Sequence, residues 1–310
     1  MSFGFKEKKS WVLWTSIIVV LIVMAFSIVS GIQYLIFSMI FALILILMAL
    51  SWDFSSGTTG YVNFGLPFFV GVGAFSVGYF YHQYKLPVSF LLVIAFLFGA
   101  VSGLLFSIPT MRVRGPFFTL LSLLLPLIGT DFILAFWTVL GLPTIGYYNL
   151  PRIAGSQTMV LLIVTIITIA VALLLYTISR SHFGLVLRGI GDDEDAMVSN
   201  GLNSFSYKVI TFSLAMGIVS FGGGIYALFT SYAGVDTFGF TFLLYPMLIA
   251  IFGGRGSISG SLSGGLIVVL LSQYLSLYVG SMTLIIFSVL AIVLVLFFRS
   301  GIVGVIARAF

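Results

Sequence analysis

Residues 11–30, WVLWTSIIVVLIVMAFSIVS, decide the fold class because they run for twenty residues without a charged side chain. A helix of about 20 apolar residues is long enough to cross the ~30 Å hydrocarbon core of a bilayer. A secretory signal peptide has a shorter apolar core, of about 7–15 residues, followed by a small-residue cleavage site. This run is longer and has no convincing cleavage motif, so we interpret it as a first membrane span.

The rest of the chain has the same character, with 61% hydrophobic and only 7% charged residues. Soluble domains carry about 25% charged residues. Within a bilayer the backbone must satisfy its own hydrogen bonds, which leaves helices or a closed barrel. The apolar runs are continuous and do not alternate as barrel strands do. The sequence predicts an all-α integral membrane protein, a polytopic bundle of about ten transmembrane helices in one domain over residues 1–310.

Nine further apolar runs follow the first. They cover residues 32–50, 62–81, 87–107, 116–140, 157–179, 207–230, 239–252, 261–279 and 282–298. The 62–81 run is rich in glycine and the 239–252 run is short, so either could be broken or re-entrant. Ten spans also divide into two sets of five, which would be inverted repeats. Interrupted helices at matching places in two halves are typical of a translocation path.

The basic residues give an orientation. With both termini in the cytoplasm, eleven of the 13 Lys and Arg residues lie on that side, and only Lys85 and Arg152 lie outside. This asymmetry follows the positive-inside rule. We therefore predict a multi-pass protein of the cell membrane, embedded in the lipid bilayer. The basic residues do not cluster on a soluble face, so the net charge of +5 does not indicate a nucleic-acid partner.

No catalytic constellation or metal site is expected. The chain has no cysteine and only two histidines, His82 and His182, which lie far apart. It also lacks the G-x-x-x-x-G-K-[ST] loop that cradles phosphates. We therefore expect no cofactor on this chain, and if ATP drives the protein, another chain must bind it.

The longest polar segment, residues 180–207, contains the most informative pattern. Gly191 interrupts the chain, four acidic residues follow from Asp192 to Asp195, and Asn200-Gly201 supplies a left-handed stop. Acidic side chains suit the positive N-terminal end of a helix, and glycine or asparagine suits its C-terminal end. Such a helix has about two turns and is marginal in water. It would therefore pack on the membrane face or on a partner, and an ordinary solvated loop is the alternative.

From Ser179 to about Tyr226 the sequence resembles the signature region of the permease subunits of branched-chain amino acid ABC transporters. That region has a basic S-R…G…L-R-A-I pattern, an acidic-alanine stretch ending in glycine-(Ile/Leu)-Asn, a lysine and a small-residue helix. The matching residues are Arg180, Gly184, Leu187, Arg188, Ile190, Asp193, Ala196, Gly201, Leu202, Asn203, Lys208, Phe212, Ser213 and Gly224. Other family-like pieces occur in order at Asn63–Phe75, Arg112–Phe118 and Phe252–Gly260.

The resemblance implies a permease domain whose cytoplasmic helix docks in a groove of an ATP-hydrolysing subunit. The residues implied in this coupling are Arg188, Asp193, Glu194, Asp195, Ala196, Met197, Gly201 and Asn203. It also implies partners: a homologous second permease subunit, two ATP-binding subunits that carry ATP and Mg, and an extracytoplasmic solute-binding protein. The permease itself would make and break no covalent bond.

A translocation path is expected to involve Asn63, Gly71, Gly73 and Asp131. The first three belong to the family-like piece that opens the 62–81 run. Asp131 belongs to no motif and lies inside the fifth predicted span. A carboxylate near the bilayer centre costs about 2.5–3.5 kcal/mol on insertion scales, so it should face a cavity or a partner. The alternative is that it reaches outer-leaflet water or a hydrogen bond from a neighbouring helix.

Some departures from the family pattern bear on the solute. Residues 141–146 read GLPTIG where the family often has T-G-G-x-(D/N)-G, and Leu127 stands where an acidic or amide residue is common. The alanine pair of the coupling motif is reduced to Ala196. Branched-chain or other amino acids come first as solutes, and urea, short amides, carboxylates, sugars and nucleosides stay open. An ion- or proton-coupled secondary transporter acting alone is the alternative from another class, and a non-transporting scaffold comes third.

Overall fold

The computed structural model describes residues 10–113, 115–139 and 146–280, with a few single positions beyond. These residues form eleven α-helices and one two-stranded sheet. The helices are α1 (Ser10–Val29), α2 (Gln33–Trp52), α3 (Leu66–Tyr84), α4 (Val88–Thr110), α5 (Pro116–Val139), α6 (Gln157–Arg180), α7 (His182–Asp192), α8 (Glu194–Ser199), α9 (Ser204–Thr230), α10 (Thr241–Gly253) and α11 (Ile258–Val279). The strands are β1 (Gly146–Tyr148) and β2 (Tyr232–Gly234). A π-helical turn, Asp53–Gly57, follows α2, and a 3-10 turn, Val235–Phe238, follows β2.

The predicted all-α polytopic membrane bundle is confirmed. Seven described helices are long and apolar enough to cross a membrane: α1, α2 with its π-helical turn, α4, α5, α6, α9 and α11. The apolar α10 has only 13 residues, and α3 is not among the seven. The predicted span 282–298 lies almost wholly outside the described residues. The count of ten and the inverted repeats therefore stay predictions.

Both segments that the sequence marked as unusual are irregular at their N-terminal ends. Residues 60–65 are not helical, and α3 begins only at Leu66, with Pro67 in its first turn. Proline fits there because the first N–H groups of a helix have no intrahelical partner. The second segment begins after the 3-10 turn, and α10 is about 20 Å long at 1.5 Å per residue. A re-entrant course of either segment stays a prediction.

One compact unit contains α1, α2, α6, α7, α11 and most of α10. Its centre is α2, which is fully buried from Met39 to Leu50 except for a partly exposed Phe41. Close approach of helices depends on small residues. A β-carbon on Gly265 would lie 2.9 Å from Ile46 Cδ1, and one on Gly253 would lie 2.7 Å from the Ser261 nitrogen.

The other compact unit contains α3, α4, α5, α8, α9 and both strands. Here α9 packs along both α3 and α4. A β-carbon on Gly223 would lie 2.9 Å from the Val70 Cα, and one on Gly73 would lie 2.9 Å from the Ser220 Cα. Strand β1 pairs antiparallel with β2, with Tyr147 opposite Ala233. Whether the whole chain acts as one permease domain stays a prediction.

Within each unit, segments predicted to share a side of the membrane meet. In the first unit the Asp53 carboxylate accepts a hydrogen bond from the Gly256 N–H at 2.8 Å, and Tyr34 donates to the Gln273 carbonyl at 2.8 Å. In the second unit His82 near the end of α3 donates to the Tyr148 carbonyl at 3.0 Å. These pairings agree with the alternation of spans that the charges gave. The identification of one side as cytoplasmic stays a prediction.

Candidate functional site

Helix α8 lies inside the segment predicted to dock a partner, and its ends are formed as the sequence predicts. The Asp193 carboxylate accepts a hydrogen bond from the Ala196 N–H at 3.0 Å and caps the helix start. The Asn200 amide donates to the Ala196 carbonyl at 2.8 Å, and Gly201 has a φ of +80°. Glycine is favoured where a helix ends in a left-handed residue. The helix has six residues, or about 1.7 turns at 3.6 residues per turn, close to the expected length of about two turns.

Glu194, the first residue of α8, forms an ion pair with the buried Lys208 in the first turns of α9. The Lys208 ammonium lies 2.7 Å from Glu194 Oε1, and the two side chains are 3% and 16% exposed. Ser204 donates a second hydrogen bond to the same oxygen at 3.0 Å. Hydrogen bonds between ionised partners are about twice as strong as neutral ones. The pair therefore fixes α8 against the start of α9.

Two further groups complete what we call the Glu194 network, made of Glu194, Lys208, Tyr61, Ser204 and the Met111 carbonyl. The Tyr61 hydroxyl donates to Glu194 Oε2 at 2.7 Å and accepts from Lys208 at 3.0 Å. Lys208 also donates to the Met111 carbonyl at 3.2 Å. An ammonium has three N–H donors, and each has an acceptor here. The network joins α8, α9, the end of α4 and the segment before α3.

The charge of Glu194 is set by these contacts. Burial by itself raises the pKa of Glu194. The hydrogen bonds from Lys208 and Tyr61 and the positive charge of Lys208 together lower the pKa by more than burial raises it, so the pKa lies below its ordinary value of 4.5. Glu194 is therefore ionised at neutral pH. Removing one partner of a buried pair is strongly destabilising, by about 3–5 kcal/mol when the pair is fully buried. Glu194 is partly exposed, which reduces that figure.

The rest of α8 faces outward. None of its residues is fully buried, Asp195 and Ala196 are exposed, Met197 is half-buried, and Val198 is 48% exposed. The surface combines a negative charge with small apolar side chains. A helix held firmly at one end, with an exposed face of this kind, suits contact with another protein.

The remaining predicted coupling residues have local structural roles. Asn203 caps α9, since its side chain accepts a hydrogen bond from the Ser206 N–H at 3.2 Å. Arg188, in α7, is half-buried and donates to the Ser179 carbonyl near the end of α6 at 2.9 Å. Arg188 belongs to the first compact unit and is not part of the Glu194 network.

The predicted path residues Asn63, Gly71 and Gly73 are packing positions in the second unit. Asn63 is completely buried, accepts a hydrogen bond from the Gly65 N–H at 2.8 Å and donates to Met216 Sδ at 3.3 Å. Gly73 faces the Ser220 backbone of α9. A β-carbon on Gly71 would lie 2.6 Å from Phe238 Cε2. All three residues are buried.

Beside these glycines lies a half-open cavity of about 250 Å³ between α3, α4, α5 and Phe238. Seven aromatic side chains line it: Phe68, Phe75, Tyr79, Phe80, Phe98, Phe132 and Phe238. Ser76 and Tyr79 are the lining residues whose side chains carry a polar group, and the lining has no charged residue. Asp131 is exposed on α5 and is not part of the lining. A cavity of this kind suits an apolar or aromatic group.

The sheet end of the second unit carries a tyrosine cluster. The rings of Tyr148 and Tyr232 lie 4.8 Å apart. Burial and the nearby Asp236 carboxylate raise the pKa of Tyr232 to about 12. Burial also raises the pKa of Asp236, although Tyr232 donates a hydrogen bond that opposes this. Among the described residues no group of three or more His, Asp or Glu side chains could hold a metal ion.

The sequence did not predict a role for three of these features: Tyr61, Phe238 and the cavity. Tyr61 could have been found from its place two residues before the family-like Asn63-Phe64-Gly65, but no sequence signal links it to Glu194, 133 positions away. Phe238 lies one position before the predicted 239–252 span, and no sequence signal links its ring to Gly71 in α3. The cavity depends on tertiary packing and has no signal of its own.

Known proteins resemble this chain over most of its length. A nucleoside ABC transporter permease protein, NupC, of Lactococcus lactis subsp. cremoris is 29% identical over 186 residues, covering 54% of this chain and 59% of the relative. The high-affinity branched-chain amino acid transport system permease protein LivM of Escherichia coli is 24% identical over 244 residues, covering 69% and 57%. The LivM protein of Salmonella typhimurium is 23% identical with the same coverage. The chain therefore spans less than two thirds of the length of these relatives.

No solved structure matches the chain. The model of one protein family, described as the permease component of a branched-chain amino acid transport system, matches residues 34–298. This range contains the Glu194 network, α8 and the aromatic cavity, and it confirms the resemblance drawn from the motifs. The chain belongs to the family of branched-chain amino acid transport system permease components.

Proposed function

We propose that this chain is the membrane-spanning permease subunit of an ATP-binding-cassette importer for a small polar solute. Family membership supports the permease role. The observation that carries the proposal is α8, a six-residue helix fixed by the Glu194 network, with Asp195, Ala196 and Val198 exposed. We assign α8 as the docking helix for an ATP-binding subunit on the cytoplasmic side.

The assembly would contain this chain, a homologous second permease, two ATP-binding subunits and an extracytoplasmic solute-binding protein. ATP and Mg would be held by the ATP-binding subunits. Closure of those subunits would move α8 and shift the permeases between outward and inward access. This chain would shape the path, and ATP would be hydrolysed on its partners.

Amino acids remain the first solute class, supported by the names of the two LivM relatives. Nucleosides are the second candidate, and the aromatic cavity is the observation that favours them. A zwitterionic amino acid loses hydration of two charges in a lining without charged residues. A nucleobase can stack on aromatic rings, which is favourable by about 0.5–1.5 kcal/mol per pair beyond area burial. Uptake of radiolabelled leucine and uridine into proteoliposomes separates the two.

A single-cysteine probe tests the docking assignment. The chain has no cysteine, so Val198→Cys places one thiol on the exposed face of α8. Tagged protein is purified in mild detergent, the co-purifying chains are identified, and maleimide labelling is compared between the complex and the permease alone. We expect ATP-binding subunits to co-purify and to protect the thiol. Tyr84→Cys, at a side chain 63% exposed near the sheet end of the second unit, is the control and should label equally in both.

Equal labelling of Val198→Cys in both samples contradicts the docking assignment. Purification of the permease without any ATP-binding subunit favours the secondary transporter, which would take up solute in proteoliposomes with an ion gradient and no ATP. Such transporters depend on paired ionisable residues within their spans. Asp131 is the charged residue that this alternative would place in the path.

A further inference from the structure

The Glu194 network holds together segments that are far apart in the sequence. Glu194 is in α8, Lys208 is in α9, and Tyr61 lies in the irregular segment of residues 60–65 that leads into α3. The family signature includes Lys208 but not Tyr61. A link from Tyr61 to α8 therefore goes beyond the docking role, although it rests on the proposed function.

We propose that Glu194, Lys208 and Tyr61 are positioning residues that pass a displacement of α8 to the segment before α3, and so to the aromatic cavity. In this arrangement α8 receives the movement of the ATP-binding subunit. The ion pair and the Tyr61 hydroxyl carry it from α8 to the segment before α3, within the second compact unit. The exposed face of α8 binds the partner, and the Glu194 network transmits the displacement of α8.

The first step of this link is the coupling of α8 to the network. The chain between α8 and α9 includes Gly201, where an added β-carbon would meet nothing within 4 Å. The turn itself is hydrogen-bonded, since the Gly201 N–H donates to the Val198 carbonyl at 2.9 Å and the Leu202 N–H donates to the Met197 carbonyl at 3.2 Å. The contacts of Glu194 with Lys208 and Tyr61, both at 2.7 Å, are short and charge-assisted. They keep α8 and its neighbours together when α8 moves.

The second step is the rigidity of the segment that carries Tyr61. The Val62 carbonyl accepts a hydrogen bond from Thr119 at 3.1 Å, and the Phe64 N–H donates to Ser122 at 3.0 Å, both on α5. The ring of Tyr61 also packs edge-to-face on Phe118, with centroids 5.6 Å apart. A segment tied this way moves together with the helices that it contacts.

The last step reaches the cavity through α3 and α5. Helix α3 begins directly after the tied segment, and both helices contribute lining residues, among them Phe75 and Phe132. The Phe238 ring lies between them, because a β-carbon on Gly71 or on Gly129 would lie 2.6 Å from one of its ring carbons. A shift of α3 against α5 changes the space around this ring. The cavity therefore responds to the position of Tyr61.

The test measures transmission without needing to know the solute. Ser76→Cys places the only thiol at the cavity, and its maleimide labelling is followed in the purified complex before and after addition of ATP and vanadate. In the complex with the network intact we expect the labelling rate to change by at least about fivefold, the low end of usual coupling between sites. Tyr61→Phe removes one oxygen and keeps the ring, and Lys208→Met removes the cation. In both variants we expect the change to disappear while ATP-binding subunits still co-purify and still hydrolyse ATP.

Matched controls come from the sheet end of the second unit. Tyr84→Phe removes the same atom from an exposed tyrosine, and Lys85→Met removes a cation outside the network; both should respond to ATP as the Ser76→Cys background does. Because Glu194 and Lys208 act as one unit, Glu194→Gln combined with Lys208→Met should be no worse than Lys208→Met alone.

The possible failures are distinguishable. If Tyr61→Phe and Lys208→Met keep the full response, or if the background complex shows none, transmission through the network is wrong while the docking assignment stands. If both variants lose the ATP-binding subunits, the network only shapes the docking surface, which also overturns the inference. If no ATP-binding subunit co-purifies with the unaltered chain, the proposed function itself is wrong.

Discussion

Replacement of Gly73 by alanine tests the close approach of α3 and α9, on which the second compact unit depends. The added β-carbon would lie 2.6 Å from the Ser220 carbonyl carbon and 2.9 Å from its Cα. Non-bonded carbon atoms prefer a separation of about 3.5–4.0 Å, and the Ser220 carbonyl oxygen would lie nearer still, so the two helices must move apart by at least roughly 1 Å. The obstacle is backbone, which cannot rotate away as the end of a side chain can.

The magnitude follows from what that separation removes. A gap of about 0.5–1 Å forfeits a quarter to a half of the dispersion energy at each contact. Overpacking of this kind costs about 1–3 kcal/mol, and the hydrogen bond from Ser220 to the Phe69 carbonyl is worth about 1 kcal/mol more. Alanine recovers about 1 kcal/mol through its helix propensity. We expect a net loss of about 1–3 kcal/mol.

Thermal unfolding in detergent, followed by intrinsic fluorescence, measures this loss. We expect the Tm of Gly73→Ala to fall by about 2–12 °C, since 1 kcal/mol corresponds to about 2–4 °C in chains of 150–250 residues. Gly155→Ala is the matched control, because a β-carbon there meets nothing within 4 Å. If the two variants unfold at the same temperature, α3 and α9 do not pack as closely as described, and the argument for Gly73 as a packing residue fails.

Three other perturbations test individual contacts of the structure. Phe238→Ala removes a 7% exposed ring and should lower stability by about 3–5 kcal/mol, measured as a fall in Tm. Asn63→Ala leaves the Gly65 N–H without its acceptor and should cost about 1–3 kcal/mol by the same assay. Because the pKa of Glu194 is lowered, its stabilisation is complete above pH 4.5 and is lost as pH falls through the lowered value. A spin label on Val198→Cys should therefore become more mobile as pH falls through this lowered pKa, which lies below 4.5, and Glu194→Gln should remove that dependence.

The membrane helices could be predicted closely from the sequence because their signal is local. Apart from α3, the ends of the described helices that match predicted spans lie within three residues of the prediction. Hydrophobic length and flanking charges fix such segments without reference to the rest of the chain. Helix α7 was missed because it is 11 residues long and follows α6 after a single residue, so it merges with the polar segment. Both histidines proved to be helical, His82 in α3 and His182 at the start of α7.

The same contrast between local and long-range features applies to the candidate site. The caps of α8, at Asp193 and Asn200, depend on neighbours within four positions and were predicted from the pattern. The ion pair of Glu194 with Lys208 and the contact with Tyr61 join residues 14 and 133 positions apart. Only packing brings such groups together. Gly71 and Gly73 were predicted at a path, and the structure places them against Phe238 and Ser220, where their lack of a side chain permits close packing.

The four consecutive acidic residues from Asp192 to Asp195 have different structural roles. Asp192 ends α7, Asp193 caps α8, and Glu194 is drawn into the ion pair with Lys208. Asp195 is the member exposed on the face of α8. If the proposed docking is right, a charge change at Asp195 should alter affinity for the ATP-binding subunit and its salt dependence, because exposed interface charges act through screened electrostatics. A change at Glu194 should instead alter what the permease does after the subunit has bound. In this proposal Asp195 contributes to binding of the ATP-binding subunit, and Glu194, one position before it, contributes to transmitting the movement of α8.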